Sequence, residues 1–138
     1  MKTLDEWVEF YKKKTGDDVD IPSGFSVYYL PNRGFCLYAI DIYNDCVVIY
    51  HCCGDGKFWR DLGHIMAIQH GLGKVKTLVT RNPIAYMRSM GFKILKNEII
   101  NDKHTLYGED EHGRNLTMIY ECNHNKTGKP VYSTTMEV

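Results

Sequence analysis

CVVIYHCCGDGKFWRDLGHIMAIQHGLGKVKTLVTRNPIAYMRSMGF, residues 46–92, carries most of the information about the fold. An apolar run, Cys46 to Cys52, stops at Gly54-Asp55-Gly56, and an amphipathic segment from about Lys57 to His70 starts at once. Phe58, Leu62, Ile65, Met66 and Gln69 recur at helical spacing and are expected to form its buried stripe. Gly71 and Gly73 end that helix. Val75 to Thr80 reads as a short strand, so the order strand, helix, strand predicts a parallel crossover. Asn82 is placed to cap a second short helix that Pro83 opens and Gly91 closes.

On the N-terminal side, Thr3 and Glu6 make a capping box. Leu4, Trp7, Val8 and Tyr11 then mark one face of a helix, with Lys12, Lys13 and Lys14 in its last turn and Gly16 at its end. Phe25–Leu30, Phe35–Ile42 and Cys46–Cys52 are three strands joined by short turns, which implies an antiparallel meander. On the C-terminal side, Phe92–Ile100, His104–Gly108 and Asn115–Cys122 read as strands. A polar tail follows from Asn123, with a last strand near Val131. Each helix has one apolar stripe and needs a sheet to bury it on.

The chain has 138 residues, suited to one domain spanning 1–138, with 43% hydrophobic and 25% charged residues. Seventeen basic and seventeen acidic residues cancel, so no global charge points to nucleic acid or a membrane surface. No apolar run approaches a membrane span, and the charged first sixteen residues do not read as a signal peptide. Five cysteines, Cys52 and Cys53 adjacent among them, do not suggest a disulfide framework; a reducing, cytoplasmic setting is expected.

The turn His51-Cys-Cys-Gly-Asp-Gly56 carries the first chemical signal. A strand feeding a glycine turn at a helix start exposes backbone N–H groups at the positive end of the helix dipole, a place for a phosphate. The plainer reading is a tight turn with Asp55 as a local cap. Neither G-x-x-x-x-G-K-[ST] nor G-x-G-x-x-G with an acidic partner is present, which disfavours nucleotide hydrolysis and dinucleotide redox chemistry. No C-x-x-C pair occurs, and Cys52 and Cys53 would point to opposite faces of a strand, so buried thiols are expected and no metal. Cys53, beside a helix N-terminus, would have its pKa lowered if it served as an acyl carrier.

His51-x-x-Gly54-x-Gly56, followed by Asn82-x-x-Ala85, Tyr86 and Gly91-Phe92, resembles the GNAT superfamily of N-acetyltransferases. The element order resembles that family over roughly residues 25–122. The resemblance implies an α/β (α+β) fold of the GNAT-like acyl-CoA N-acyltransferase type: a mixed, mostly antiparallel sheet with helices on both faces. It also implies a strand that splays from its parallel neighbour to admit the pantetheine arm of acetyl-CoA. By the same resemblance Tyr50, His51, Cys53, Gly54, Asp55, Gly56 and Lys57 would surround the cofactor near its pyrophosphate, and Asn82 and Tyr86 would line its thiol end. Tyr86 would protonate the departing thiolate, and His51 would act as base toward a small-molecule amine or a protein amino group. His51 stands where the family has Gln or Arg. Met87 occupies the position of the family's tyrosine, with Tyr86 one residue earlier and about 100° around the helix. Two readings follow: an acetyl-CoA-dependent N-acetyltransferase, or a non-catalytic binding or structural module that kept the fold without the chemistry. An exposed strand edge would allow pairing with a second copy as a homodimer.

Overall fold

The computed structural model describes all 138 residues. Its first element, α1 (Leu4–Thr15), starts where the sequence places it. Thr3 accepts from the Glu6 N–H, the Glu6 carboxylate accepts from the Thr3 N–H, and Gly16 closes the helix in the left-handed conformation. Three strands follow, β1 (Ser26–Leu30), β2 (Gly34–Asp41) and β3 (Cys46–Gly54). Then come α2 (Gly56–Gln69), β4 (Lys74–Val79), α3 (Pro83–Ser89) and four strands, β5 (Lys93–Ile100), β6 (Lys103–Glu109), β7 (Asn115–Asn123) and β8 (Pro130–Glu137).

All eight strands form one mixed sheet in the order β1-β2-β3-β4-β8-β7-β6-β5. Only β3 and β4 run parallel, which is the crossover expected through α2. The last strand is not peripheral. β8 lies in the middle of the sheet, pairing β4 from Lys74↔Glu137 to Val79↔Tyr132 and β7 on its other side. Its alternate residues Tyr132, Thr134 and Met136 are buried, which the polar look of STT conceals. The sheet edges are β1 and β5.

Helices cover both faces. Leu4, Trp7, Val8 and Tyr11 of α1 pack on Phe35, Leu37 and Cys53. On the opposite face Ala67 of α2 and Met87 of α3 share a core with Val47, Val75, Leu106, Met118 and Met136. The stripe of α2 differs from expectation by one position: Trp59, Arg60, Gly63 and Ala67 are buried, while Ile65 is half exposed and Gln69 exposed. Two contacts set this rotation. The Trp59 indole donates to the carbonyls of Arg33 (2.9 Å) and Cys53 (3.1 Å). Gly63 lets the helix approach Val75, where an added Cβ would meet a Val75 methyl at 3.4 Å.

A buried cation braces the start of α2. Arg60 donates to the Met90 carbonyl (2.6 Å) behind α3 and to Glu111 (2.7 and 3.1 Å) in the β6–β7 turn. Its own neighbour Asp61 accepts from it at 3.0 Å, and the fully buried Asp110 carboxylate lies 3.7 Å away while bonding Arg114 at 2.6 Å. The Arg60 hydrogen bond holds the Glu111 carboxyl down to about 2. For Asp61 and Asp110 burial opposes ionisation, but bonds to Arg114, joined by Arg60 at Asp61 and by the His112 N–H at Asp110, together leave both below their ordinary range. Depressed carboxylates stabilise the fold above their unfolded pKa and lose that contribution as pH falls through the folded one.

Stability should therefore decline between about pH 4 and pH 2 in a urea-melt series, given ordinary carboxyl values near 4. Arg60→Met should cost about 3 kcal/mol at neutral pH by leaving Asp110 short of a partner and should flatten that acid limb. An unchanged limb would show that the network does not govern acid unfolding. The two turn glycines supply a second test. Gly54 has φ +106°, and a Cβ there would overlap the Arg33 carbonyl, so Gly54→Ala should cost about 2–3 kcal/mol. Gly16 has open space around it, and Gly16→Ala should cost only about 1 kcal/mol.

Candidate functional site

The parallel pair β3–β4 parts halfway along. It is in register from Cys46↔Lys74 to Ile49↔Thr77 and no further. Beyond that point β3 continues against β2 alone, through Cys36↔Cys52 to Gly34↔Gly54, and β4 continues against β8 alone. A bulge marks the divergence. Tyr50 and His51 of β3 together oppose Leu37 of β2, between the pairs Tyr38↔Ile49 and Cys36↔Cys52. Bulges bend a strand and raise its twist, so β3 turns away from β4 and the facing backbone edges of Tyr50–Cys53 and Leu78–Val79 lose each other as partners.

The opening between them is a cavity of about 460 Å³, a volume suited to a small ligand or the arm of a cofactor. Its walls come from both faces of the sheet: Tyr11 and Lys14 of α1 on one side, Tyr86 and Met90 on the other. Lys14, Arg60, Arg81 and Lys129 line it, and no Asp or Glu does. Arg60 is neutralised by its carboxylates, whereas Lys14, Arg81 and Lys129 form no salt bridge. The Arg81 guanidinium lies over the Tyr86 ring at 5.4 Å and donates to Ser89 Oγ at 2.6 Å, while its buried Nε has no partner. The lining is apolar with unpaired positive charge, which favours an anionic ligand carrying an uncharged arm.

Some of the residues expected at the site meet in this cavity and others do not. Tyr50, Cys53, Gly54, Gly56 and Tyr86 line it. Tyr86 has no hydrogen-bond partner for its hydroxyl in the protein. Burial, with Cys52 and Cys36 nearby, pushes its pKa above the ordinary phenol value, so it remains a proton donor at neutral pH. Met87, at the register of the family tyrosine, is fully buried in the core instead. Asn82 caps α3, accepting from Ile84 (3.0 Å) and Ala85 (3.1 Å), and does not reach the cavity. Asp55 caps α2 through the Phe58 N–H (3.1 Å), forms an ion pair with Arg33, and gives its own N–H to the Arg33 carbonyl at 2.8 Å. The local-cap reading of the turn is thus present in full, and the helix keeps the Gly56 and Lys57 N–H groups, which have no intrahelical acceptor. Lys57 itself is exposed and outside the lining.

His51 lies under α1 rather than in the cavity wall. Its Nδ1 is 2.7 Å from the Tyr11 hydroxyl, and the tilted Tyr50 ring lies 4.2 Å away. The bulge puts it there: Cys52 takes the cavity face opposite Cys36, and His51 and Cys53 take the α1 face. Burial lowers the His51 pKa, opposed by Asp17 and Asp20. Cys53 corrects the expectation of an acidic thiol. Burial raises it above the ordinary value, and Lys14, Lys2 and the Gly54 N–H offset this only in part. Cys52 is raised further, first by a hydrogen bond with Cys36 and then by burial. Tyr11 and Arg81 are cavity residues that sequence reasoning missed. Tyr11 shows in the sequence only as part of the apolar stripe of α1, and Arg81 only as a residue between a strand and a cap.

Compared with family models, curated proteins and solved structures, the chain matches none of them.

Thiol chemistry checks this placement. Cys122 is exposed, Cys52 half-buried, and Cys36, Cys46 and Cys53 are buried. An aromatic disulfide reagent at neutral pH should react promptly with one thiol, and Cys122→Ser should remove that phase. Prompt reaction of two or more would contradict the buried, raised thiols of β3.

Proposed function

We propose that this chain is an acetyl-CoA-dependent N-acetyltransferase of the GNAT type, built on a GNAT-like fold. The observation that carries the reading is the parting of β3 and β4 beyond Ile49 and Thr77, with the cavity between them. A splayed parallel pair joined through a glycine turn and an α-helix is the arrangement the sequence resemblance implies. An extended pantetheine arm fits between two strand edges because it carries amides that satisfy backbone groups left unpaired there. The Gly56 and Lys57 N–H groups at the start of α2, with Arg81 across the gap, supply donors for the pyrophosphate. Gly56 faces Met90, whose Sδ would lie 2.6 Å from an added Cβ. A ligand approaching that backbone displaces the Met90 side chain, a small motion for an unbranched thioether.

In this reading Tyr86 takes the part of the family tyrosine. One position of helix separates it from Met87, and it is Tyr86 that lines the cavity while Met87 packs in the core. A protonated phenol with a free hydroxyl can donate to the departing thiolate. The chemistry otherwise needs placement of an amine against the thioester carbonyl and a backbone N–H to polarise it. The acceptor is a small amine or a protein amino group.

A second reading, a GNAT-fold binding module without catalysis, draws support from the glycine turn. The Asp55 N–H is already spent on Arg33, and a carboxylate stands beside the proposed pyrophosphate position.

Calorimetry with acetyl-CoA and with free CoA tests the first reading against the second. Binding of both at micromolar levels is expected. Gly56→Glu should abolish it by placing bulk and negative charge at the helix start. Absence of heat and of any thermal shift at millimolar ligand would sink the acetyltransferase reading and leave the non-catalytic one. With binding established, Tyr86→Phe should lower turnover roughly a hundredfold and leave binding intact; unchanged turnover would remove Tyr86 from the reaction.

A further inference from the structure

We propose that Tyr11 and His51 form a proton relay at the α1-side mouth of the cavity, Tyr11 taking the proton of an attacking amine as it passes its own to His51. The inference rests on the acyl-transfer reading above and adds to it the side from which the amine arrives.

Two phenols approach the same opening from opposite faces of the sheet. Tyr86 enters from the α3 side and Tyr11 from the α1 side, and both line the cavity that Cys52 also lines. A thioester carbonyl held in the gap therefore has its leaving sulfur on the Tyr86 side and a free face toward Tyr11. The Tyr11 ring is fixed edge-on against Phe35 (5.7 Å) and His51 (5.2 Å). Its hydroxyl meets His51 Nδ1 at 2.7 Å. A buried phenol is a poor base by itself, because burial raises its pKa and disfavours the phenolate. It can accept a proton only while giving one up, and a neutral imidazole at hydrogen-bond distance is the group to receive it. Burial keeps His51 neutral at physiological pH. The groups facing the pair are Asp17 and Asp20 toward His51, and Asp17, Cys52, Cys53 and Tyr50 toward Tyr11; Lys14 lines the same mouth. Tyr11 is thus the residue that touches the reacting amine, and His51 acts through it.

The step balances without a further reactant. The amine nitrogen forms a bond to the thioester carbonyl carbon, and the carbon–sulfur bond breaks. The N–H proton moves to Tyr11 Oη while the Tyr11 proton moves to His51 Nδ1. Tyr86 gives its proton to the CoA sulfur. Amide and CoA thiol leave, and water carries the proton from His51 back to Tyr86.

The test uses the full chain, acetyl-CoA, and two probe amines: n-butylamine, strongly basic, and 2,2,2-trifluoroethylamine, weakly basic and neutral at pH 7. Thiol release is followed against pH while acetyl-CoA binding is measured in parallel by calorimetry. For n-butylamine the wild-type rate, divided by the fraction of amine that is unprotonated at each pH, should fall as pH drops through the lowered His51 pKa. Tyr11→Phe and His51→Gln should each reduce that rate about a hundredfold, abolish the acid limb and leave acetyl-CoA affinity unchanged. With trifluoroethylamine, which needs little help to lose its proton, the loss should be less than about tenfold. A purely structural Tyr11–His51 bond would lower both amines alike or neither, and either result overturns the relay. So does acetyl-CoA binding without thiol release for either amine at any pH. Failure of the wild-type protein to bind acetyl-CoA overturns the cofactor reading itself, and His51→Gln covers the case in which Tyr11→Phe does not fold.

Discussion

The bulge at Tyr50–His51 is the constraint on which the site depends. Without it β3 and β4 would stay paired to their ends, as short parallel strands joined by a helix usually do. One extra residue on β3 opposite Leu37 bends the strand, and both strands have other partners to follow. β2 holds β3 through Cys36↔Cys52 and Gly34↔Gly54, and β8 holds β4 along its whole length. The sheet thus opens in its interior while remaining continuous at the base, and the opening costs little because every strand keeps at least one full ladder.

Rigid surroundings preserve that opening. The Gly34–Gly54 approach allows β2 and β3 to run close at the turn, since neither position has room for a Cβ. Trp59 ties the first turn of α2 to the Arg33 and Cys53 carbonyls, so the helix start is fixed to the end of the bent strand. Arg60 ties the same turn to the end of α3 and to the β6–β7 hairpin. The two walls of the cavity are therefore joined behind it by buried hydrogen bonds to charged groups. Such bonds are specific in direction and, once partners are lost, expensive to leave unmade.

The same bend divides the polar groups between two faces. Cys52 turns toward the cavity beside Cys36 and Tyr86, and His51 turns toward Tyr11. Simple alternation would have put His51 and Ile49 on one face. This is why a histidine expected in the cavity wall lies one layer behind it, and why the residue at the wall is a tyrosine from the first helix. The adjacent residues Tyr86 and Met87 show the complementary case. α3 is rotated so that Met87 fills the core beside Gly108 and Phe92 and Tyr86 faces the opening.

Local chemistry in the sequence determined where the elements begin and end. Thr3 and Glu6, Gly16, Gly54-Asp55-Gly56, Asn82-Pro83 and Gly91 are caps and turns whose action is confined to a few residues, and period-2 and period-3.6 patterns separate strands from helices. It also determined the parallel crossover, because strand, helix and strand leave one favoured connection. Tertiary structure alone decided three further things. The polar segment Pro130–Glu137 became a central strand because its alternate residues match Val75, Thr77 and Val79 across the ladder. The buried face of α2 shifted by one position because Trp59 found two carbonyls at the end of β3 and Gly63 found room against Val75. The bulge at Tyr50–His51 was set by the register β3 takes against β2 on either side of Leu37. Each of these depends on partners in other elements, and so no local pattern in the chain encodes it.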